Sequence, residues 1–529
     1  MAAVGGNGLF QRLLSLLIQV LVLIQGIWSF SLLLLLSSPI YLCNGKVCTQ
    51  EAACKGKEIH YESGAVGGIR KEWGLTCADS YQARLVELLC YAGLLVGGLL
   101  AGCLASRLGR KATLTIFQLL FGSAVLLAGL TAWKWLFVLS LGLSAVGTAG
   151  VSLSGLLLVV ETVGGEERQW YLAIGLAVAG LGSALWAIGA VYISNWRVLC
   201  LIIAGISLAI SPFLLWLPES PRFLSISGKF ESARKTLQRI SRYNHSPLFQ
   251  EVLEGEKVLG FQEQSPVLPS SPKALSDTSK INFINTSHGT VTVTDSTPCT
   301  WRTAQWTDLL RLEGFRRKLL PVMMMWSSQM VAGYCVGKEL RSTVGDEYYC
   351  GGIAGGVVLL MDLLVAGTLN KLGRKAVIEW LLFICGISCW AAEITTLSEQ
   401  LILKAGFLIV ASGAIAALFL VLFLYTSELF PTCIRPYALC LSTSFACFIS
   451  LTSPYLSFIS DSIGIDLLLL IGTLLLASCL LGLEMPETQG KRLEDFLEEA
   501  HSRQIEMRVS ASTSNFGSKP NFEQFNEAA

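Results

Sequence analysis

Charged residues recur at fixed spacings in this chain. Glu161 and Arg168 stand seven residues apart, and so do Glu428 and Arg435, 267 residues later. Ser106-Arg107-Leu108-Gly109-Arg110-Lys111 returns as Asn370-Lys371-Leu372-Gly373-Arg374-Lys375 at an offset of 264. Arginine stays protonated at any working pH, so these groups suit ion pairing, not proton transfer. Asp362 is different, because it sits alone inside an apolar run. There it can bind a cationic head group or take up a proton. Trp28, Trp186, Trp326, Tyr334 and Phe445 also lie in apolar runs. Stacked on an organic cation, each such ring contributes about 0.5–2 kcal/mol. Cys43, Cys48, Cys54 and Cys77 fall in one polar stretch, where an oxidising compartment would join them as two disulfides with three connectivities. The four histidines are far apart, and no Ser-His-Asp set, metal-ligand spacing or phosphate-cradling loop occurs. No enzyme, metal or cofactor is expected.

The elements that hold these residues follow from composition. Of 529 residues, 53% are hydrophobic and 15% charged, against about a quarter charged in a soluble domain. Much of the surface must face lipid. A net charge of +1 gives no reason to expect a nucleic-acid partner. A membrane-crossing helix needs roughly 20 apolar residues. Such runs lie at about 14–37, 85–105, 112–131, 135–160, 170–192 and 197–217, numbered spans one to six. Spans seven to twelve lie at about 318–337, 350–370, 376–395, 401–425, 437–459 and 464–485. The first run is too long for the core of a signal peptide.

The short loops predict sidedness. With the N-terminus in the cytosol, Arg107, Arg110, Lys111, Arg168, Lys371, Arg374, Lys375 and Arg435 lie inside, and Lys134, Arg197, Lys338 and Arg341 outside. Eight against four satisfies the positive-inside rule. The predicted plan is therefore an N-terminal six-helix half over 1–217, with an extracellular loop at 41–83. A cytosolic linker covers 218–317, a C-terminal six-helix half 318–485, and a cytosolic tail 486–529. The linker opens with a basic amphipathic stretch from Gly228 to Tyr243, then turns Ser-, Thr- and Pro-rich from Gln264 to Thr300, a composition that buries too little apolar surface to fold.

Two signatures repeating at nearly one offset, in matching spans, indicate a duplicated six-helix unit, which is a transporter plan. Arg107, Arg110, Glu161, Arg168, Arg374, Glu428 and Arg435 then form a candidate gating network. Paired at the membrane edge, they hold the halves together in one state and release them in another.

The repeated turns and Glu-x6-Arg pairs resemble the major facilitator superfamily. Further motifs are similar to its organic cation, anion and carnitine transporter family. They are Gly8-Leu9-Phe10-Gln11, Glu72-Trp73-Gly74-Leu75-Thr76-Cys77-Ala78-Asp79-Ser80, Asn195-Trp196-Arg197-Val198-Leu199 and Pro218-Glu219-Ser220-Pro221-Arg222-Phe223-Leu224. Tyr425-Thr426-Ser427-Glu428-Leu429-Phe430-Pro431-Thr432 and Pro486-Glu487-Thr488-Gln489-Gly490 complete the set. The resemblance covers about residues 5–495. It implies an all-α fold of twelve transmembrane helices in two six-helix halves, carrying small organic ions or zwitterions by alternating access. It also matches Trp326 and Tyr334 to aromatic positions of the family.

Four positions depart from the pattern. Ser106 stands where the family has an aspartate, Leu141 near a span-four arginine, and Val358 near a span-eight glutamate. Cys447 stands where cation carriers have an aspartate and anion carriers an arginine, so it joins the substrate-site candidates. These departures keep open a non-transporting receptor or regulator on a carrier fold; a sugar transporter is a further alternative, against which the Glu-Trp-Gly-Leu-x-Cys motif argues. The implied partners are an organic ion, the bilayer and a coupling ion such as H+ or Na+. The expected location is the plasma membrane first and a vacuolar membrane second.

Overall fold

The structure is a computed structural model. It describes residues 7–36, 41–43, 46–48, 60–61, 68–73, 80–165, 167–193, 195–245, 306–311, 313–345, 347–464 and 466–490. The six helices of the first half are Leu9–Leu36, Ser80–Arg107, Arg110–Leu130, Lys134–Thr162, Arg168–Tyr192 and Trp196–Leu214. Those of the second half are Glu313–Val344, Glu347–Leu372, Arg374–Leu397, Leu401–Leu429, Arg435–Ser450 and Leu467–Gly482. Eleven segments among the described residues are long and apolar enough to cross a membrane. The twelfth helix is apolar but only 16 residues long. It takes the place in the second half that span six takes in the first.

The neighbour pattern shows the duplication directly. Within the first half, span one packs on four, five and six, span three on four and six, and span two on four. Adding six to each number reproduces the second half: seven on ten, eleven and twelve, nine on ten and twelve, and eight on ten. The main seams between the halves are spans two with eleven and five with eight, which the same operation exchanges. Small residues permit these close crossings. A Cβ on Gly98 would stand 2.5 Å from Ser444 Oγ, and one on Gly102 2.7 Å from the Cys440 Cβ.

Several ends differ from the apolar runs. Span seven extends well past both predicted limits, because the helix continues through its polar ends at Arg316, Arg317, Lys338 and Arg341. Span eleven stops at Ser450. A 3-10 turn over Ser453–Tyr455 containing Pro454 follows, then a short helix over Leu456–Ile463. Proline has no N–H to continue the helical ladder. The linker's basic stretch is a helix, Phe230–Asn244, preceded by a short one at Pro221–Ile226. The Ser-, Thr- and Pro-rich tract lies outside the described residues.

The first long loop adds the only β-structure among the described residues. Strands β1 (Tyr41–Cys43), β2 (Lys46–Cys48) and β3 (His60–Tyr61) form an antiparallel sheet in the order β2-β1-β3. Cys43 and Cys48 end β1 and β2, whereas Cys54 and Cys77 lie outside the described residues, as does any pairing among the four. The loop's final helix, Gly68–Glu72, is anchored to the bundle. Glu72 accepts a hydrogen bond from Trp196 Nε1 (2.8 Å) and pairs with Arg197 (2.5 Å). The Trp73 ring packs 4.6 Å from Phe137 and 5.8 Å from Trp196, centroid to centroid. The Glu-Trp-Gly and Asn-Trp-Arg motifs are thus two sides of one contact.

Candidate functional site

At one end of the bundle, the two Gly-Arg-Lys turns assemble a lattice of ion pairs. Each turn needs glycine. Gly109 has φ +104° and Gly373 φ +89°, a region costly to residues with a Cβ. The reversal turns the following arginine inward. Arg110 donates through Nε and Nη2 to Glu161 Oε1 (3.1 and 2.9 Å), and Arg374 Nε lies 3.3 Å from Glu428 Oε2. Each half thus pairs its own arginine with its own glutamate.

The remaining two arginines cross between halves. Arg168 Nη1 donates to Glu428 Oε1 at 3.3 Å, and Arg435 Nη1 lies 3.8 Å from Glu161 Oε1. Each glutamate is therefore shared by an arginine from each half. The crossings are unequal. Arg168 also donates from Nε to the Val160 carbonyl (3.0 Å), while all three nitrogens of the fully buried Arg435 guanidinium lack a hydrogen bond among the described residues. Arg110 Nη2 adds a further bridge, donating to the Thr432 carbonyl at 3.3 Å.

One expected member stands apart. Arg107 is exposed and has no ion pair among the described residues. It precedes the glycine reversal and keeps the outward direction of its helix end, as Lys371 does in the second half.

Sequence reasoning missed a third repeat in the lattice. Glu219 accepts from the backbone N–H of Arg110 and Lys111 (2.8 and 3.1 Å). Glu487 does the same for Arg374 and Lys375 (3.0 Å each). The next residues, Ser220 and Thr488, donate to Glu161 (2.5 Å) and Glu428 (3.0 Å). Lys111 and Lys375 reach the carbonyls of Leu215 and Leu483 (2.8 and 2.7 Å). The signal was available, since Pro-Glu-Ser and Pro-Glu-Thr recur at an offset of 268. Acid at a helix N-terminus satisfies free amides and suits the helix dipole. Burial alone would push the Glu487 carboxyl up. The amides of Gln489, Arg374, Lys375 and Thr488 outweigh it and hold the carboxyl below its ordinary range.

A cavity of about 580 Å³ opens between the halves. Gln25, Ser29 and Phe30 of span one line it, with Thr148 and Ser152 of span four and Gly180 and Ser183 of span five. The second half adds Gly333, Val358 and Phe419. No ionisable side chain is among the described residues of the lining. Ser152 donates to Gln25 Oε1 at 2.6 Å, which fixes the amide across the cavity wall.

The expected substrate residues lie around this cavity, not on it. Trp28 donates from Nε1 to Ser144 Oγ (3.2 Å) and packs edge-on to Phe121, inside the first half. Trp326 donates to Thr426 Oγ1 (3.2 Å) and stands 5.2 Å behind the lining ring of Phe419. Both indole N–H groups thus find partners in their own half, and neither ring is in the cavity lining. Tyr334, next to Gly333, donates to Glu87 Oε2 (3.0 Å) across the halves, so Glu87 is held inward. Trp186, Phe445 and Cys447 are also outside the lining, and Trp186 packs on the outer cluster with Trp28 and Leu141.

Asp362 follows the lining residue Val358 by one turn, toward the charged end. It is buried, and neither carboxylate oxygen has a hydrogen-bond partner among the described residues. Its helix face meets span five, where Gln169 Nε2 donates to the Ala366 carbonyl at 3.2 Å.

A profile described as "Sugar (and other) transporter" matches residues 49–500. The chain is 27% identical to organic anion transporter 3 of Sus scrofa over 432 residues, covering 82% of this chain and 74% of that protein. It is 25% identical to solute carrier family 22 member 16 of Homo sapiens over 448 residues, 83% and 71% of the two chains. It is 26% identical to the organic cation transporter-like protein of Drosophila melanogaster over 431 residues, 79% and 70%. Among solved structures, the proton:xylose symporter XylE bound to 6-bromo-6-deoxy-D-glucose superposes with a TM-score of 0.64 at 16% identity, covering 92% of this chain and 98% of that one.

Proposed function

Since the chain belongs to the sugar (and other) transporter family of the major facilitator superfamily, we propose that it carries small organic ions or zwitterions, of the organic cation and carnitine type, by alternating access. The observation that carries this reading is the cavity between the halves with Asp362 one turn below it. Its volume is in the range of small-molecule sites. The names of the relatives support an organic ion as cargo. An uncharged wall favours an ion whose charge is spread or whose apolar part is large, since such an ion loses least on desolvation. Asp362 supplies the countercharge within reach of a cationic end, or the site for a coupling proton.

The charged end lies in the cytosol in this reading, as the loop arginines and lysines argue, with the halves at 1–217 and 318–485 and the plasma membrane as the location. The two crossing ion pairs then act as a latch that closes the cytosolic side, and binding shifts the equilibrium between latched and parted halves. No nucleotide site is proposed, so uphill movement draws on H+, Na+ or the membrane potential.

A second reading rests on the same wall. Gln25, Ser29, Thr148, Ser152 and Ser183 offer only neutral hydrogen-bonding groups, which suits a hydroxylated neutral solute such as a sugar. Uptake by cells expressing the chain decides between them, measured for organic cations, organic anions, carnitine and hexoses at two pH values and two membrane potentials. Saturable uptake of an organic ion supports the first reading, and hexose uptake alone replaces it. Ligand binding without any flux points instead to a receptor on a carrier fold.

A further inference from the structure

The helix Phe230–Asn244 lies outside the transport path and carries a basic pocket that the transport reading does not use. Its buried side, Ala233 and Ile240, faces the bundle. The helix is tied to the bundle beside the lipid-facing surface at its C-terminal end and near its middle. Asn244 Oδ1 accepts from the Phe10 backbone N–H (3.0 Å) and its Nδ2 donates to Gln11 Oε1 (2.9 Å), at the start of span one. Arg239 Nη2 donates to the Trp216 carbonyl (3.3 Å), just past the end of span six.

The other side of the helix presents Lys235, Arg239 and Arg242, one turn apart. With His245 and Leu9 they line an open cavity of about 730 Å³. Glu231 is the only acid on the helix, and it pairs with Lys235 at 2.7 Å. Arg242 has no side-chain partner among the described residues. Leu9 joins this basic wall to a lipid-facing stripe. Leu9, Leu13 and Leu16 are all more than half exposed, at helical spacing. Trp216 and Phe213, also exposed, mark the interfacial level on span six, as aromatic residues do at membrane surfaces.

We propose that this pocket binds the phosphate headgroup of an anionic lipid, with an acyl chain lying along the Leu9–Leu13–Leu16 stripe. The geometry joins the two chemistries such a lipid needs, cations at headgroup depth and an exposed apolar path leading from them into the bilayer. A free phosphate ion would use the cations and leave the stripe unused.

The test uses the full chain purified into nanodiscs of mixed phosphatidylserine and phosphatidylcholine, with the co-purified lipids counted by native mass spectrometry. Symmetric discs offer both lipids to both faces, so the result stands or falls independently of the sidedness and of any substrate. The wild type retains phosphatidylserine in preference to phosphatidylcholine. The double variant Lys235→Gln, Arg242→Gln loses that preference by roughly thirtyfold, each surface cation contributing roughly fivefold. The charge-preserving pair Lys235→Arg, Arg242→Lys retains it and controls for folding of the helix. Equal retention of phosphatidylserine by the wild type and the glutamine variant overturns the proposal. So does complete displacement of the lipid by inorganic phosphate, which would make the free ion the ligand.

Discussion

Asp362 is buried and has no hydrogen-bond donor among the described residues. A buried structural carboxylate normally keeps partners, and breaking a paired one costs several kcal/mol. Asp362→Asn removes the charge without orphaning a neighbour, so the thermal midpoint is expected to hold or rise. Uptake of a cationic substrate is expected to fall about 10- to 100-fold, the value of a hydrogen bond to a charged group, while uptake of a neutral solute stays level. Equal uptake of both classes removes Asp362 from the site. Glu487 gives a pH prediction of opposite character. Its folded carboxyl is held low by four amides, so as acid is added the unfolded chain takes up a proton first. Its contribution is complete above the ordinary carboxylate range and disappears as pH falls through the lowered folded value. The melting gap between wild type and Glu487→Gln should therefore be constant near neutrality and close in acid; a gap that widens in acid contradicts the capping role. The charged residues were readable in the sequence because a charge in an apolar run is rare. Gln25, Ser152 and Ser183 were not, because a small polar residue in a helix looks the same whether it packs or lines a cavity.

Among the contacts between the halves, the crossing of spans five and eight brings a glycine closest to the opposing backbone. A Cβ on Gly355 would stand 2.5 Å from the Gly180 carbonyl oxygen and 2.8 Å from the Ala184 nitrogen. Backbone cannot move aside as a side chain does, so Gly355→Ala forces the two halves apart. The expected cost is about 1–3 kcal/mol, as for other overpacked sites, with reduced transport. Gly352 and Gly356 flank it, and a Cβ there meets nothing within 4 Å. Gly352→Ala and Gly356→Ala should therefore leave the melting midpoint and uptake near wild type, and a similar loss in all three would assign the effect to helix propensity. Helix existence was legible here from apolar length, and the choice among three nearby glycines was not. Only the packing of span five distinguishes them. Span ends were equally hidden where apolarity and helicity part company, as in the polar extensions of span seven and at Pro454.

At the scale of the molecule, the duplication places the same lattice in both halves, and what couples the halves is the exchange of arginines. Two motifs at nearly one offset made the duplication readable, but a one-dimensional reading pairs Glu161 with the nearby Arg168 and Glu428 with Arg435. The fold pairs Arg168 with Glu428 and Arg435 with Glu161 instead. Each glutamate thus holds one arginine of its own half and one of the other. Glu428→Gln would leave Arg168 and Arg374 buried without their carboxylate, in the latched state alone. Uncompensated buried charge costs about 3–5 kcal/mol, enough to shift a two-state balance by two orders of magnitude or more toward parted halves. Spin labels at Glu167 and Lys371, at the charged ends of spans five and eight, report that separation. A longer and broader distance distribution in Glu428→Gln than in wild type is the expected result. An unchanged distribution would mean that these arginines only anchor their loops. The inequality of the two crossings sharpens the test, because Arg435 reaches Glu161 without a hydrogen bond whereas Arg168 is held at two points. Removing the Arg168 crossing should therefore open the end further than Arg435→Gln, although the two arginines are equivalent by the internal repeat.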